Sequence, residues 1–102
     1  MKKAKDLYKV KAVLGIYPST RATWYVVTLP TKVGGKIYDK YKALQGGFGS
    51  LKVEVELGRS VWQTSIFRDR SAKSYILFIK ASVRKKECIG EGDNITLTLS
   101  VL

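Results

Sequence analysis

The side chains in this sequence best suited to chemistry are cations set beside aromatic rings, between residues 62 and 86. Arg68, Arg70 and Lys73 fall in one polar stretch, and Lys80, Arg84, Lys85 and Lys86 follow the apolar run Tyr75 to Ile79. Only Asp69 and Glu87 oppose them locally. Guanidinium and ammonium groups at this density suit phosphate oxygens, and Trp62 and Phe67 offer ring faces on which bases stack. Core packing is the competing use of both rings. The anion is expected in the cleft between the loop Arg68 to Ser74 and the start of a short helix near Lys80 to Arg84. The extended run between them spans about 17 Å. One phosphate does not bridge that distance, so an extended polyanion suits the two groups better than a small ligand.

Other chemistries are poorly supplied. The chain has no histidine and a single cysteine, Cys88, which removes the commonest metal ligand, the commonest general base and any internal disulfide. No metal and no cofactor are expected. Cys88 falls near a helix C-terminus, with no histidine or second cysteine to activate it, and is read as a small packed side chain. Thr64 and Ser65 alternate faces on a strand and lack a base, so Thr64 is read as structural. Asp69 is expected to pair locally and order its loop. An enzyme would need Asp69, Tyr75 and Arg68 to cluster. The residues point instead to a non-enzymatic binding module for nucleic acid or another polyanion. The alternative is a protein-interaction or small-ligand-binding accessory domain whose charge is incidental.

Composition sets the bounds. A chain of 102 residues makes one domain, large enough to bury a core without staples. The formal net charge of +11, from 19 Lys and Arg against 8 Asp and Glu, is the footprint of a polyanion partner. Lysine-rich surfaces also serve solubility and heat adaptation, which is the rival explanation. No apolar run is long enough to span a bilayer, and residues 1–6 form a basic leader without a signal-peptide core. A cytoplasmic protein without membrane contact is expected.

The elements that must position these groups follow from periodicity. Leu7 to Tyr17 reads as a strand with Tyr8, Val10, Ala12 and Leu14 on one face, and Gly15 marks a candidate bulge. Pro18 to Ala22 is turn chemistry, and Thr23 to Leu29 is a strand buried on both faces that pairs with the first as a hairpin. Thr31 is placed to cap the main helix, Thr31 to Leu44, on which Val33, Ile37, Tyr41 and Leu44 share a face. Gly34 and Gly35 are expected to loosen its first turn. Lys32, Lys36, Lys40 and Lys42 form a solvated stripe. Leu51 to Leu57 alternates strictly and turns at Gly58 and Arg59 into Ser60 to Phe67, with Trp62, Thr64 and Ile66 on one face. Lys9 and Lys11 are expected to face Glu54 and Glu56 across the sheet. The strand Tyr75 to Ile79 leads to a short helix, Ser82 to Cys88, closed by Gly90 and Gly92. A strand from Asn94 ends the chain, with Ile95, Leu97, Leu99 and Val101 inward. A mainly β single domain over residues 7–102, with one main and one short helix, is the expected fold.

The ordered set Trp24-x-Val26-x-x-Leu29-Pro30, helix, Trp62-x-Thr64-Ser65, the Tyr75 strand and Gly90-x-Gly92-Asp93 resembles the domain-of-unknown-function family nineteen-oh-five. That resemblance covers Leu7 to Leu102 and implies a double-split β-barrel, shared with swapped-hairpin transcription-regulator domains. The family carries no established catalytic residues, so it implies none here. Some of its relatives are appendages to bacteriocin-protection proteins, which by analogy implies an accessory binding unit. Its members usually carry a glycine-rich turn after the Thr-Ser strand, where this chain has Phe67 to Lys73 without glycine.

Overall fold

The computed structural model describes residues 6–17 and 22–102, apart from the Phe48 side chain. The basic leader, except Asp6, and the turn expected from Pro18, except Ala22, lie outside the described residues. Seven strands and two helices run in the order β1 (Tyr8–Val13), β2 (Gly15–Tyr17), β3 (Trp24–Thr28), α1 (Thr31–Tyr41), β4 (Ser50–Leu57), β5 (Ser60–Asp69), β6 (Ser74–Phe78), α2 (Ala81–Glu87) and β7 (Asn94–Val101). All pairings are antiparallel. The single sheet, ordered β1-β7-β4-β5-β6-β3-β2, curls into a half-barrel, and the chain is a mainly β domain. Its two edge strands are consecutive in sequence. Leu14, between them, donates to the Asp93 carbonyl and accepts from Gly92 N–H, while Gly15 lies opposite Val26. One bent strand therefore serves both edges of the sheet.

Strict alternation sets the core. Leu51, Val53, Val55 and Leu57 on β4, and Ile95, Leu97, Leu99 and Val101 on β7, are all buried on the inner face. Ile37 of α1 and Val83 of α2 join this core. At about 25 cal/mol for each Å² of apolar surface removed from water, burial of these rows is the main stabilising contribution.

Several expectations change. β1 pairs with β7, so Lys9 and Lys11 lie opposite Thr98 and Thr96. Glu56 pairs with Thr98 from the other side, so β7 separates these lysines from the carboxylates meant to neutralise them. Only the last part of the first strand forms the expected hairpin, through β2 and β3. On β3, Val26 and Val27 are buried but Trp24 is 50% exposed. Thr31 is the first helical residue, not the cap; Pro30 occupies the cap position with no side-chain hydrogen bond. α1 ends at Tyr41 and passes into a 3-10 turn, Lys42–Leu44, that leaves Leu44 exposed. Cys88, not Gly90, takes the left-handed conformation that ends α2, with φ +56°, and its side chain is exposed, not packed.

Gly34 is fully helical, its N–H donating to the Pro30 carbonyl. Its cause is packing: a Cβ there would sit 2.0 Å from Ser74 Oγ. The buried Ser74 hydroxyl donates to the Leu29 carbonyl, so α1 lies directly on the start of β6. At the hairpin tip, Gly58 takes the positive φ, +59°, that a two-residue turn requires at its first central position. Glu87 of α2 accepts from Ser60 Oγ at 2.7 Å and from Arg59 N–H, pinning that turn to the short helix.

Candidate nucleic-acid interface

The β5–β6 ladder runs from Asp69 opposite Ser74 to Ile66 opposite Leu77, and stops there. Trp62 to Thr64 then continue alongside β4 while the chain beyond Phe78 enters α2. The gap is a cleft of about 390 Å³ bordered by Trp24, Tyr25, Trp62, Phe78, Lys80 and Arg84, among others. Ile79 N–H donates to the Tyr25 carbonyl, which ties β3 to the start of α2 at its floor.

Two cations sit against rings here. The Arg84 guanidinium lies 3.7 Å from the Tyr25 ring centroid, and its Nε donates to the Ile79 carbonyl. Lys80 Nζ stands 6.0 Å from the Trp62 ring. Lys80 and Lys86 also border a smaller recess on the other side of Trp62. Trp62 packs partly against the core and still lines both cavities, so core packing and cleft lining coexist in one residue.

The outer face of β2, β3, β5 and β6 continues the aromatic surface. Phe78 is the hub of edge-to-face contacts with Trp24 at 5.8 Å, Tyr17 at 5.9 Å and Phe67 at 6.0 Å. Tyr17 and Trp24 are about half exposed. Beyond Tyr17, a shallow depression is bordered by Arg68, Asp69, Arg70 and Ser71.

Of the nine residues expected to form the site, Trp62, Lys80 and Arg84 meet in the cleft, Lys86 adjoins it, and Phe67 and Arg70 lie toward the far end of the aromatic surface. Arg68 and Asp69 belong to β5, not to a loop. Arg68 sits opposite Tyr75, with its guanidinium 4.2 Å from the Tyr38 ring and 5.4 Å from the Tyr75 ring. Lys73 takes a positive φ, +51°, in the turn and is exposed. Lys85 is exposed on the last turn of α2 beside Lys86, where both complement the helix dipole. The aromatic residues that periodicity did not single out are Tyr17, Trp24, Tyr25 and Phe78.

Asp69 orders its turn through hydrogen bonds and makes no ion pair among the described residues. Its Oδ1 accepts from Ser71 Oγ at 2.8 Å, Ser71 N–H and Ala72 N–H. The Ser71 hydroxyl, followed by the Ala72 amide, holds its carboxyl below the usual range. Thus Arg68 and Tyr75 come together but Asp69 is engaged elsewhere. Burial raises the Tyr75 phenol, and its hydroxyl donates to Gln45 Oε1. The lysine stripe of α1 is exposed, with Lys40 paired to Asp6.

Among the described residues no cluster of His, Cys, Asp or Glu could hold a metal ion, and no helix is long and apolar enough to cross a membrane. No curated protein matches the chain. The family model described as domain of unknown function (DUF1905) matches residues 11–99, a span that takes in β2 to β6, both helices, the tryptophan cleft and most of β7, with the second half of β1. By that match, which leaves out only the two chain ends, the protein belongs to the DUF1905 family.

Proposed function

We propose that this protein is a non-enzymatic module that binds single-stranded nucleic acid across the cleft and the aromatic surface beside it. The observation that carries this reading is the cleft itself, whose lining includes both tryptophans together with Lys80 and Arg84. Stacking on such rings is worth about 1–3 kcal/mol per base and tolerates any sequence, while the cations hold the backbone. The strand would run from Lys80 and Arg84, over Trp24, Phe78 and Tyr17, toward Arg70. Duplex cannot offer its base faces to these rings, so single strands are the preferred form.

The charge supports a polyanion partner. Of the 15 cations in the described residues, one, Lys40, is in an ion pair there, with Asp6. A heat-adapted surface draws its benefit from ion-pair networks, which need more partners than that. The same reading places the protein in the cytoplasm, where nucleic acid is available and a solvent-exposed Cys88 stays reduced.

Titration of a fluorescently labelled oligothymidylate at rising salt tests this. With about 3–4 phosphate contacts, log affinity should fall with log salt at a slope of about −2 to −3, near −0.7 per contact. The pair Lys80→Ala with Arg84→Ala should weaken binding more than Lys36→Ala with Lys40→Ala, which removes equal charge from the solvated face of α1. Equal losses would mean that only net charge matters. Absence of binding at micromolar protein and about 50 mM salt would defeat the reading, since nonspecific binders reach that range even at physiological salt.

A further inference from the structure

We propose that the recess between α1 and the end of β5 is a second site, separate from the tryptophan cleft, which binds a small organic oxyanion (a carboxylate or phosphate ester) through Arg68. The cavity holds about 680 Å³ and is lined by Tyr38, Gln45, Gly49, Arg68 and Arg70. That volume lies within the range of small-molecule pockets and exceeds what a bare ion fills. None of these residues borders the tryptophan cleft, though Arg68 and Arg70 also border the depression at the far end of the aromatic surface.

The lining is built for negative charge. The Arg68 guanidinium lies within reach of both the Tyr38 and Tyr75 rings. Its Nη1 is closed off from solvent and has no hydrogen-bond acceptor among the described residues. A guanidinium kept this way is costly, and Arg68 also lines the recess, where an oxyanion can meet its Nε and Nη2, which are not closed off. Among the described residues no carboxylate lines the recess; the nearest in sequence, Asp69, attracts Arg68 but its Oδ1 is taken by Ser71 and Ala72. Gln45 uses its Oε1 to accept from Tyr75, which leaves its amide N–H groups as donors. Arg70 adds a second guanidinium. Gly49 makes room for the arrangement: it has φ +64°, and a Cβ there would stand 2.6 Å from Arg68 Cβ. Donors, two cations and an aromatic wall with no competing anion define an oxyanion attached to a planar or apolar body.

Isothermal titration calorimetry of the full chain at fixed ionic strength tests this, using benzoate, phenyl phosphate and neutral benzamide as probes. One or both anions should bind saturably at one site and benzamide should not; whichever anion binds tighter identifies the headgroup. Arg68→Lys keeps the charge but loses the planar fork, and should weaken binding about tenfold or more. Gln45→Glu preserves the acceptor for Tyr75 and sets a carboxylate beside Arg68, so it should abolish anion binding in a folded protein. The pair Lys80→Ala with Arg84→Ala should leave it unchanged. No saturable heat with either anion, benzamide binding as well as benzoate, full binding by Gln45→Glu, or equal losses from the Arg68 and the Lys80/Arg84 variants would each overturn the assignment.

Discussion

The Arg84 guanidinium lies 3.7 Å from the Tyr25 ring centroid while its Nε donates to the Ile79 carbonyl. One side chain thus fixes the wall of the tryptophan cleft and, with Lys80, supplies its charge. Arg84→Lys keeps the charge but loses the planar stack and the Nε bond, interactions of about 0.5–2 kcal/mol. It should weaken oligonucleotide binding several-fold in an anisotropy titration, whereas Lys85→Ala, on the same helix and equally charged, should change it little.

Gly34→Ala separates packing from helix propensity. Propensity alone would favour alanine by about 1 kcal/mol. The new Cβ would meet Ser74 Oγ at 2.0 Å and Ser74 Cα at 2.8 Å, and the backbone of β6 cannot rotate away. Urea denaturation should show a loss of about 1–3 kcal/mol, the range for overpacking. Gly35→Ala, with nothing within 4 Å of its Cβ, should be neutral or stabilising.

Glu87 joins α2 to the β4–β5 turn through Ser60 and Arg59. Glu87→Ala should cost about 1–2 kcal/mol by leaving the Ser60 hydroxyl and that turn unsupported. Glu87→Gln keeps an acceptor and should lose less. Thermal unfolding of the two variants, compared with Glu91→Ala as a surface control, checks the order.

Asp69 predicts an acid limb in stability. Its folded pKa is lowered, chiefly by the Ser71 hydroxyl, so the carboxylate's contribution is fully present above its unfolded pKa of about 3.9. It is lost as pH falls through the lower folded value. Urea midpoints measured between about pH 6 and about pH 2 should therefore decline less steeply for Asp69→Asn than for the parent. Identical slopes would mean that the turn is held by other bonds.

Much of the frame was readable from period alone. The rows Leu51 to Leu57 and Ile95 to Val101 alternate without error because each strand buries one face and wets the other. The helices followed from their spacing and from the breaks around them. Pairing order is non-local, so nothing in Lys9 or Glu56 reveals that β7 comes between them. Trp24 belongs to an apolar run that reads as buried, and its exposure follows from its place beyond the last β3–β6 pair, Val26 with Phe78. Arg68 and Arg70 look alike in sequence. Yet Thr64, Ile66 and Arg68 share parity, and extending that alternation by one step would have turned Arg68 toward α1. The Tyr38 and Gln45 side of that recess carries no such signal, because helix and strand meet there only after folding.

The most direct measurement of the proposed nucleic-acid function is intrinsic tryptophan emission. The chain holds two tryptophans, and both line the cleft, so the signal reports that cleft and the small recess that shares Trp62 with it. Oligothymidylate at low salt should quench emission saturably, with Trp24→Ala and Trp62→Phe each reducing affinity by about 1–3 kcal/mol. Inorganic polyphosphate of matched charge, which has no bases, should bind more weakly and leave emission nearly unchanged. Oligothymidylate that binds without altering tryptophan emission, or polyphosphate that matches it in both affinity and quenching, would contradict stacking in the cleft.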